Sequence, residues 1–99
     1  MARPYRTRDD ERDVFRALAH PVRRRMIAAS LDRSVSFDQL QQLTRRSRAT
    51  VASHLRILRE ARLFLATRDG KAVSYRARRQ TLRACHQWLT EMTHVADRG

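Results

Sequence analysis

Apolar residues recur at three- and four-residue steps over most of this chain, the spacing of amphipathic helices, and give way to short strand-like runs only between residues 63 and 76. The clearest stripe is Val51, Leu55 and Leu58. It sits in a segment opened by Ser47, whose hydroxyl suits an N-cap because it can accept from a backbone N–H that the first turn leaves free. Val14, Phe15 and Leu18 mark a shorter helix ending near Ala19, with Thr7 or Asp9 as its cap and Asp9, Asp10 and Glu11 where the helix dipole favours negative charge. Pro21 fits the first position of a second helix, where its missing N–H costs nothing. Val22, Met26, Ile27 and Leu31 form the buried side of that helix. Ser36 and Gln39 have capping-box spacing ahead of a short helix with Phe37, Leu40 and Leu43 inward. The link from Thr44 to Arg46 is so short that this helix and the Ser47 helix make a helix-turn-helix pair.

After Ala61 the period changes. Leu63 to Thr67 and Ala72 to Arg76 read as two strands, and Asp69-Gly70 between them signals a hairpin because glycine accepts positive φ. The hairpin carries Arg68, Lys71 and Arg76, a basic wing beside the Ser47 helix. From Gln80 to about Ala96 a last helix places Leu82, Cys85, Leu89, Met92 and Ala96 on a heptad-like seam, which Trp88 and Val95 widen. So small a domain has little core left to cover this face. Self-association is therefore expected, with Val14, Phe15, Leu82, Cys85, Trp88, Leu89 and Met92 at the interface.

The predicted class is mainly α with a two-stranded hairpin wing, a homodimeric winged helix-turn-helix. Residues 1 to 8, basic and without period, are expected to be a disordered arm ahead of a single domain at 9 to 99. The chain of 99 residues has 22 Lys plus Arg against 10 Asp plus Glu, a formal charge of +12. Such a balance points to a polyanionic partner, nucleic acid before an anionic membrane surface. No run is long and apolar enough for a transmembrane helix, and the first residues lack the apolar core of a signal peptide, so a cytoplasmic protein is expected. A single cysteine excludes an intrachain disulfide and cannot alone hold a structural metal. The run Arg23 to Arg25 is expected to be solvated or salt-bridged, as such runs usually are.

The Ser47 helix is dressed with side chains suited to DNA. Ala49, Thr50, Ser53 and Arg56 fall away from the apolar stripe and Arg48 and His54 lie on its flanks, a set that suits base edges and phosphates better than the mixed Glu and Lys of an ordinary outer face. An RNA-binding protein would also be basic. The aromatics here, however, fall mostly on predicted core faces and form no stacking platform. An enzyme is disfavoured: Cys85 and His86 are helix neighbours pointing about 100° apart, and no phosphate loop or paired carboxylates appear.

Three motifs in order resemble the ArsR/SmtB family of winged helix-turn-helix transcriptional repressors. Ala17-Leu18-Ala19-His20-Pro21-Val22-Arg23 looks like that family's approach to its second helix. His54-Leu55-Arg56-Ile57-Leu58-Arg59-Glu60-Ala61 resembles its recognition-helix signature, and Asp69-Gly70-Lys71 with Ser74-Tyr75-Arg76 resembles its wing. The resemblance implies an obligate homodimer, joined through its first and last helices, that represses transcription from an imperfect inverted-repeat operator on double-stranded DNA, often in its own operon. On that reading Arg48, Thr50, Ser53 and His54, with the capping Ser47, face the major groove, and Arg48 is the best candidate for a bidentate contact to guanine. Arg45, Arg46 and Arg56 hold phosphates, and Arg68 and Lys71 reach the backbone or minor groove.

The chain departs from the family pattern. Arg62 stands where glycine usually ends the recognition helix, Arg45 where glycine is common in the turn, Arg46 where an apolar residue is usual, and Ala52 where serine is usual. Metal-sensing members carry ligand sets that this chain does not match. Phe37 to Leu43 has no thiol or imidazole, and the last helix offers only His86, His94 and Asp97 as weak candidates at awkward spacing. No metal or other cofactor is expected, and Cys85 reads as a small buried hydrophobe sooner than a redox switch. A metal- or thiol-responsive sensor using last-helix ligands remains the alternative within the family.

Overall fold

In the computed structural model residues 8–98 are described, so the arm expected at residues 1 to 8 lies, Arg8 apart, outside them. The described chain is α1 (Arg8–Leu18), α2 (Pro21–Ala29), β1 (Val35–Ser36), α3 (Phe37–Thr44), α4 (Arg48–Glu60), β2 (Phe64–Asp69), β3 (Ala72–Ala77) and α5 (Arg79–Arg98). The strands form one antiparallel sheet in the order β1-β3-β2.

The caps explain where the helices begin. His20 is the N-cap of α2 and its Nδ1 accepts the Val22 N–H at 3.1 Å, while Pro21 fills the first turn. At α3 both bonds of the capping box are made, Gln39 N–H to Ser36 Oγ at 3.0 Å and Ser36 N–H to Gln39 Oε1 at 2.8 Å. Ser47 caps α4 by accepting the Thr50 N–H at 3.2 Å.

The helix ends are less ordinary. Arg45 and Arg62 both take left-handed backbone, at φ 56° and 61°, where a Cβ is disfavoured by about 1–2 kcal/mol. Arg62 completes a Schellman turn: the Leu63 N–H reaches Leu58 O at 2.8 Å and the Arg62 N–H reaches Arg59 O at 3.0 Å. Arginine thus occupies two places where the family resemblance favours glycine, and the chain makes the same turns at some cost.

Val14, Met26, Leu40, Val51, Leu58 and Leu63 are fully buried at the centre of the core, with Val22, Ile27, Leu55 and Phe64 around them. α4 packs on α1, α2, α3 and β2 at once, so its apolar stripe is covered from every inward side. The Ala77 N–H bonds Ser30 O at 3.0 Å and the Arg78 N–H bonds Leu63 O at 2.7 Å, tying the end of the wing to α2 and α4. The hairpin turns at Gly70-Lys71, with Asp69 opposite Ala72 and Gly70 at φ 61°. Strand β1 was not expected. Its two residues pair Val35 with Tyr75 and Ser36 with Ser74.

In the arginine run of α2, Arg24 and Arg25 are exposed as expected and Arg23 is not. Arg23 is buried; its Nε donates to Ala17 O at 2.8 Å and its Nη2 to Arg16 O at 3.2 Å. Arg24 donates to Leu18 O at 2.9 Å and Arg25 to Leu43 O at 2.7 Å. All three donate to carbonyls at the ends of α1 and α3, the place a helix dipole welcomes positive charge.

The face of α5 divides along its length. Thr81 and Cys85 are buried, Leu82 and Trp88 half-buried, and the Phe15 and Trp88 rings lie 5.0 Å apart. Leu89 and Met92 stand 50% and 52% exposed. Val14 and Cys85 must therefore leave the expected interface set: at 0% and 4% exposure they face their own core and offer a partner nothing. Burial, and then Glu11 nearby, push the Cys85 thiol pKa up. The side chains of Val95, Ala96 and Asp97 lie outside the described part of the helix.

Candidate nucleic-acid interface

With Val51, Leu55 and Leu58 turned into the core, the 3.6-residue period sends Ala49, Thr50, Ser53 and Arg56 outward, and all four are exposed. Arg45, Arg46 and Ser47 precede them on the same exposed end of α4, and Arg68 and Lys71 are exposed on the wing. Register puts Arg68 on the same face of the hairpin as Ala66 and Tyr75, the face that lines a groove against α4. Arg56 and Arg59 line the other side of that groove, and Leu65 lies at its edge, 51% exposed. Arg59 was not singled out from the sequence. Its place one turn beyond Arg56 was the available signal.

Thr50 is not a free hydroxyl, because Ser47 Oγ donates to its Oγ1 at 3.0 Å. Arg48 is exposed but tethered: its Nη1 lies 3.3 Å from Asp38 Oδ1 and its guanidinium carbon 4.6 Å from the centre of the Phe37 ring. So exposed an ion pair is worth at most about 1 kcal/mol, enough to bias a side chain and too little to immobilise it.

His54 stands apart from the set. Its ring is half-buried, 4.6 Å from that of His20, and its Nδ1 is 3.2 Å from Arg23 Nη1. Since arginine can only donate, Nδ1 is the acceptor and the ring is neutral with its proton on Nε2. Burial first, then His20, Arg23 and Arg46, hold its pKa below the usual 6.5. The structure thus turns this imidazole inward to α2, where the sequence had placed it toward DNA.

Among the described residues no group of three His, Cys, Asp or Glu side chains is placed to hold a metal, and no helix is long and apolar enough to cross a membrane.

No protein-family model matches the chain. It is 34% identical over 71 residues to the HTH-type transcriptional regulator KmtR of Mycobacterium tuberculosis, a match covering 72% of this chain and 55% of KmtR, so the chain spans about half of that relative's length. An ArsR-like transcriptional regulator from Rhodococcus sp. RHA1 superposes with a TM-score of 0.86 at 24% identity, over 91% of this chain and 83% of that one. The homodimeric winged helix-turn-helix DNA-binding domain of a possible ArsR-family regulator from Mycobacterium bovis gives a TM-score of 0.70 at 18% identity, over 92% and 85% of the two chains.

Proposed function

We propose that this chain, which shares the fold of ArsR-type winged helix-turn-helix structures and whose motifs resemble that family, is a dimeric, sequence-specific DNA-binding transcriptional regulator, a repressor of its own or a neighbouring operon. The observation that carries the reading is the division of α4: one side is sealed in the core, and the other presents Thr50, Ser53 and Arg56 beside a basic wing. Hydroxyls and guanidinium groups at the start of a helix suit a major groove. Arg45, Arg46, Arg56, Arg68 and Lys71 supply the sequence-independent grip on phosphates. The relatives are transcriptional regulators, a non-enzymatic class.

Two copies are proposed to pair through α5 and α1, closing the strip of Leu89 and Met92 with Phe15, Leu82 and Trp88 at its edge. A two-fold pair presents two α4 helices about one DNA turn apart, which calls for an imperfect inverted repeat. The test is a titration of a duplex enriched by selection against a scrambled one, across salt. If each protomer neutralises about four phosphates, the log–log slope for a dimer is about −7. A slope shallower than about −2, or equal affinity for both duplexes, contradicts the proposal.

A further inference from the structure

Arg48 opens α4, but its guanidinium is held by α3. Asp38 Oδ1 meets its Nη1 at 3.3 Å and the Phe37 ring lies beneath it at 4.6 Å. Both anchors sit in the first turn of α3, which the Ser36–Gln39 capping box fixes and which the pairing of Ser36 with Ser74 ties to the sheet. We propose that Asp38, with Phe37 below, is a specificity-determining residue: it positions Arg48 so that Arg48 addresses a base edge and not a phosphate. The inference rests on the reading of α4 as the DNA-reading helix.

A guanidinium is a rigid plane of five donors, so a carboxylate that takes one edge and an aromatic face that takes one side aim the edge that remains. An untethered arginine on an exposed helix end would instead be satisfied by any phosphate oxygen within reach, a contact blind to sequence. Orientation before binding also leaves less side-chain freedom to be lost on the correct duplex. The carboxylate works against the wrong contact as well. Its side chain is 78% exposed, so a phosphate docking on the tethered Arg48 would meet the Asp38 charge. Both effects act on the difference between duplexes more than on affinity for either.

The test begins with selection by the full-length wild-type chain from a duplex library randomised over about 30 bp, three helical turns. Wild type, Asp38→Ala, Asp38→Asn, Arg48→Ala and the Asp38→Ala/Arg48→Ala double variant are then titrated with an enriched duplex and a scrambled one of equal composition. Asp38→Ala should lower the ratio of the two affinities by about three- to tenfold, mostly through tighter binding to the scrambled duplex. Asp38→Asn, which keeps an acceptor oxygen, should recover part of that ratio, and Asp38→Ala should change nothing further once Arg48 is alanine. A ratio moved by less than about twofold, or moved equally in the Arg48→Ala background, overturns the inference. If the wild type enriches no sequence at all, the reading of α4 itself fails and takes the inference with it, so the two failures are told apart.

Discussion

Arg23 Nη1 lies 3.2 Å from His54 Nδ1, so a residue of α2 determines which ring nitrogen carries the proton on a residue of α4. Protonating His54 would set an N–H against a guanidinium N–H and add a positive charge beside Arg23 and Arg46. Because the folded pKa lies below the unfolded 6.5, the unfolded chain binds the proton more readily. This contribution to stability is therefore complete above the unfolded value and is lost as pH falls from there through the folded one. Thermal melts should show a lower Tm at about pH 5.5 than at about pH 7.5, and His54→Gln, which can still accept from Arg23 but does not titrate, should flatten the difference. Identical pH profiles for the two proteins would refute this.

Arg23→Met should cost about 2–4 kcal/mol in denaturant unfolding, since it strands the buried carbonyl of Ala17 at a helix end as well as removing the bonds to Arg16 O and His54. Arg24→Met, whose bond to Leu18 O is exposed, should cost under about 1 kcal/mol. Equal losses would mean that burial of Arg23 adds nothing.

Arg45 stands in the left-handed region at φ 56° on an exposed turn. Arg45→Gly should raise stability by about 0.5–1 kcal/mol while weakening enriched and scrambled duplexes alike, because the guanidinium is proposed to touch phosphate. Calorimetry and duplex titration on the same preparation check both halves. A loss of stability would show that the side chain outweighs its backbone strain.

Leu89→Glu should give a folded monomer with weakened operator binding, since Leu89 is half-exposed and supports little of the core of its own protomer. Sedimentation and circular dichroism decide it. A folded wild-type monomer at micromolar concentration would remove the dimer from the proposal.

Cys85 is buried, with its thiol pKa raised, so alkylation of the native protein should be far slower than that of the unfolded chain. Operator affinity should stay within about threefold on adding zinc, arsenite or a thiol oxidant, a differential of about 0.65 kcal/mol. A tenfold zinc-dependent loss that disappears in His94→Ala would make the protein a last-helix metal sensor.

The elements that could be read from the sequence were those whose evidence is local. Ser36 with Gln39, Pro21, Ser47 and Gly70 each act within four residues, although the hairpin turns at Gly70-Lys71, one residue later than the expected Asp69-Gly70, and the stripe Val51, Leu55, Leu58 needs only the helical period. Strand β1 escaped because Val35-Ser36 is too short to show any period, and its pairing with residues 74 and 75 is set by the tertiary fold. Arg23 was misjudged for a related reason. Charge implies water, as it does for the exposed Arg24 and Arg25, until one knows that the last carbonyls of α1 lie within reach of a buried guanidinium. Val14 and Cys85 show a further limit: a heptad seam looks the same whether its own protomer or a second copy covers it. On α4, periodicity placed Thr50, Ser53 and Arg56 outward correctly. It could not foresee that His20 and Arg23 would claim the flanking His54.

Ser36 holds two positions at once, partner of Ser74 in the sheet and N-cap of α3. The wing and the helix-turn-helix therefore share a joint with no slack: tilting the hairpin would pull on the residue from which α3 starts, and α3 carries α4 through a turn of three residues. On the proposed reading each protomer has few internal degrees of freedom with which to let go of DNA. In the proposed dimer, release would then come from the distance and angle between the two bodies, so an effector would act most directly where the copies meet and not along the reading surface itself.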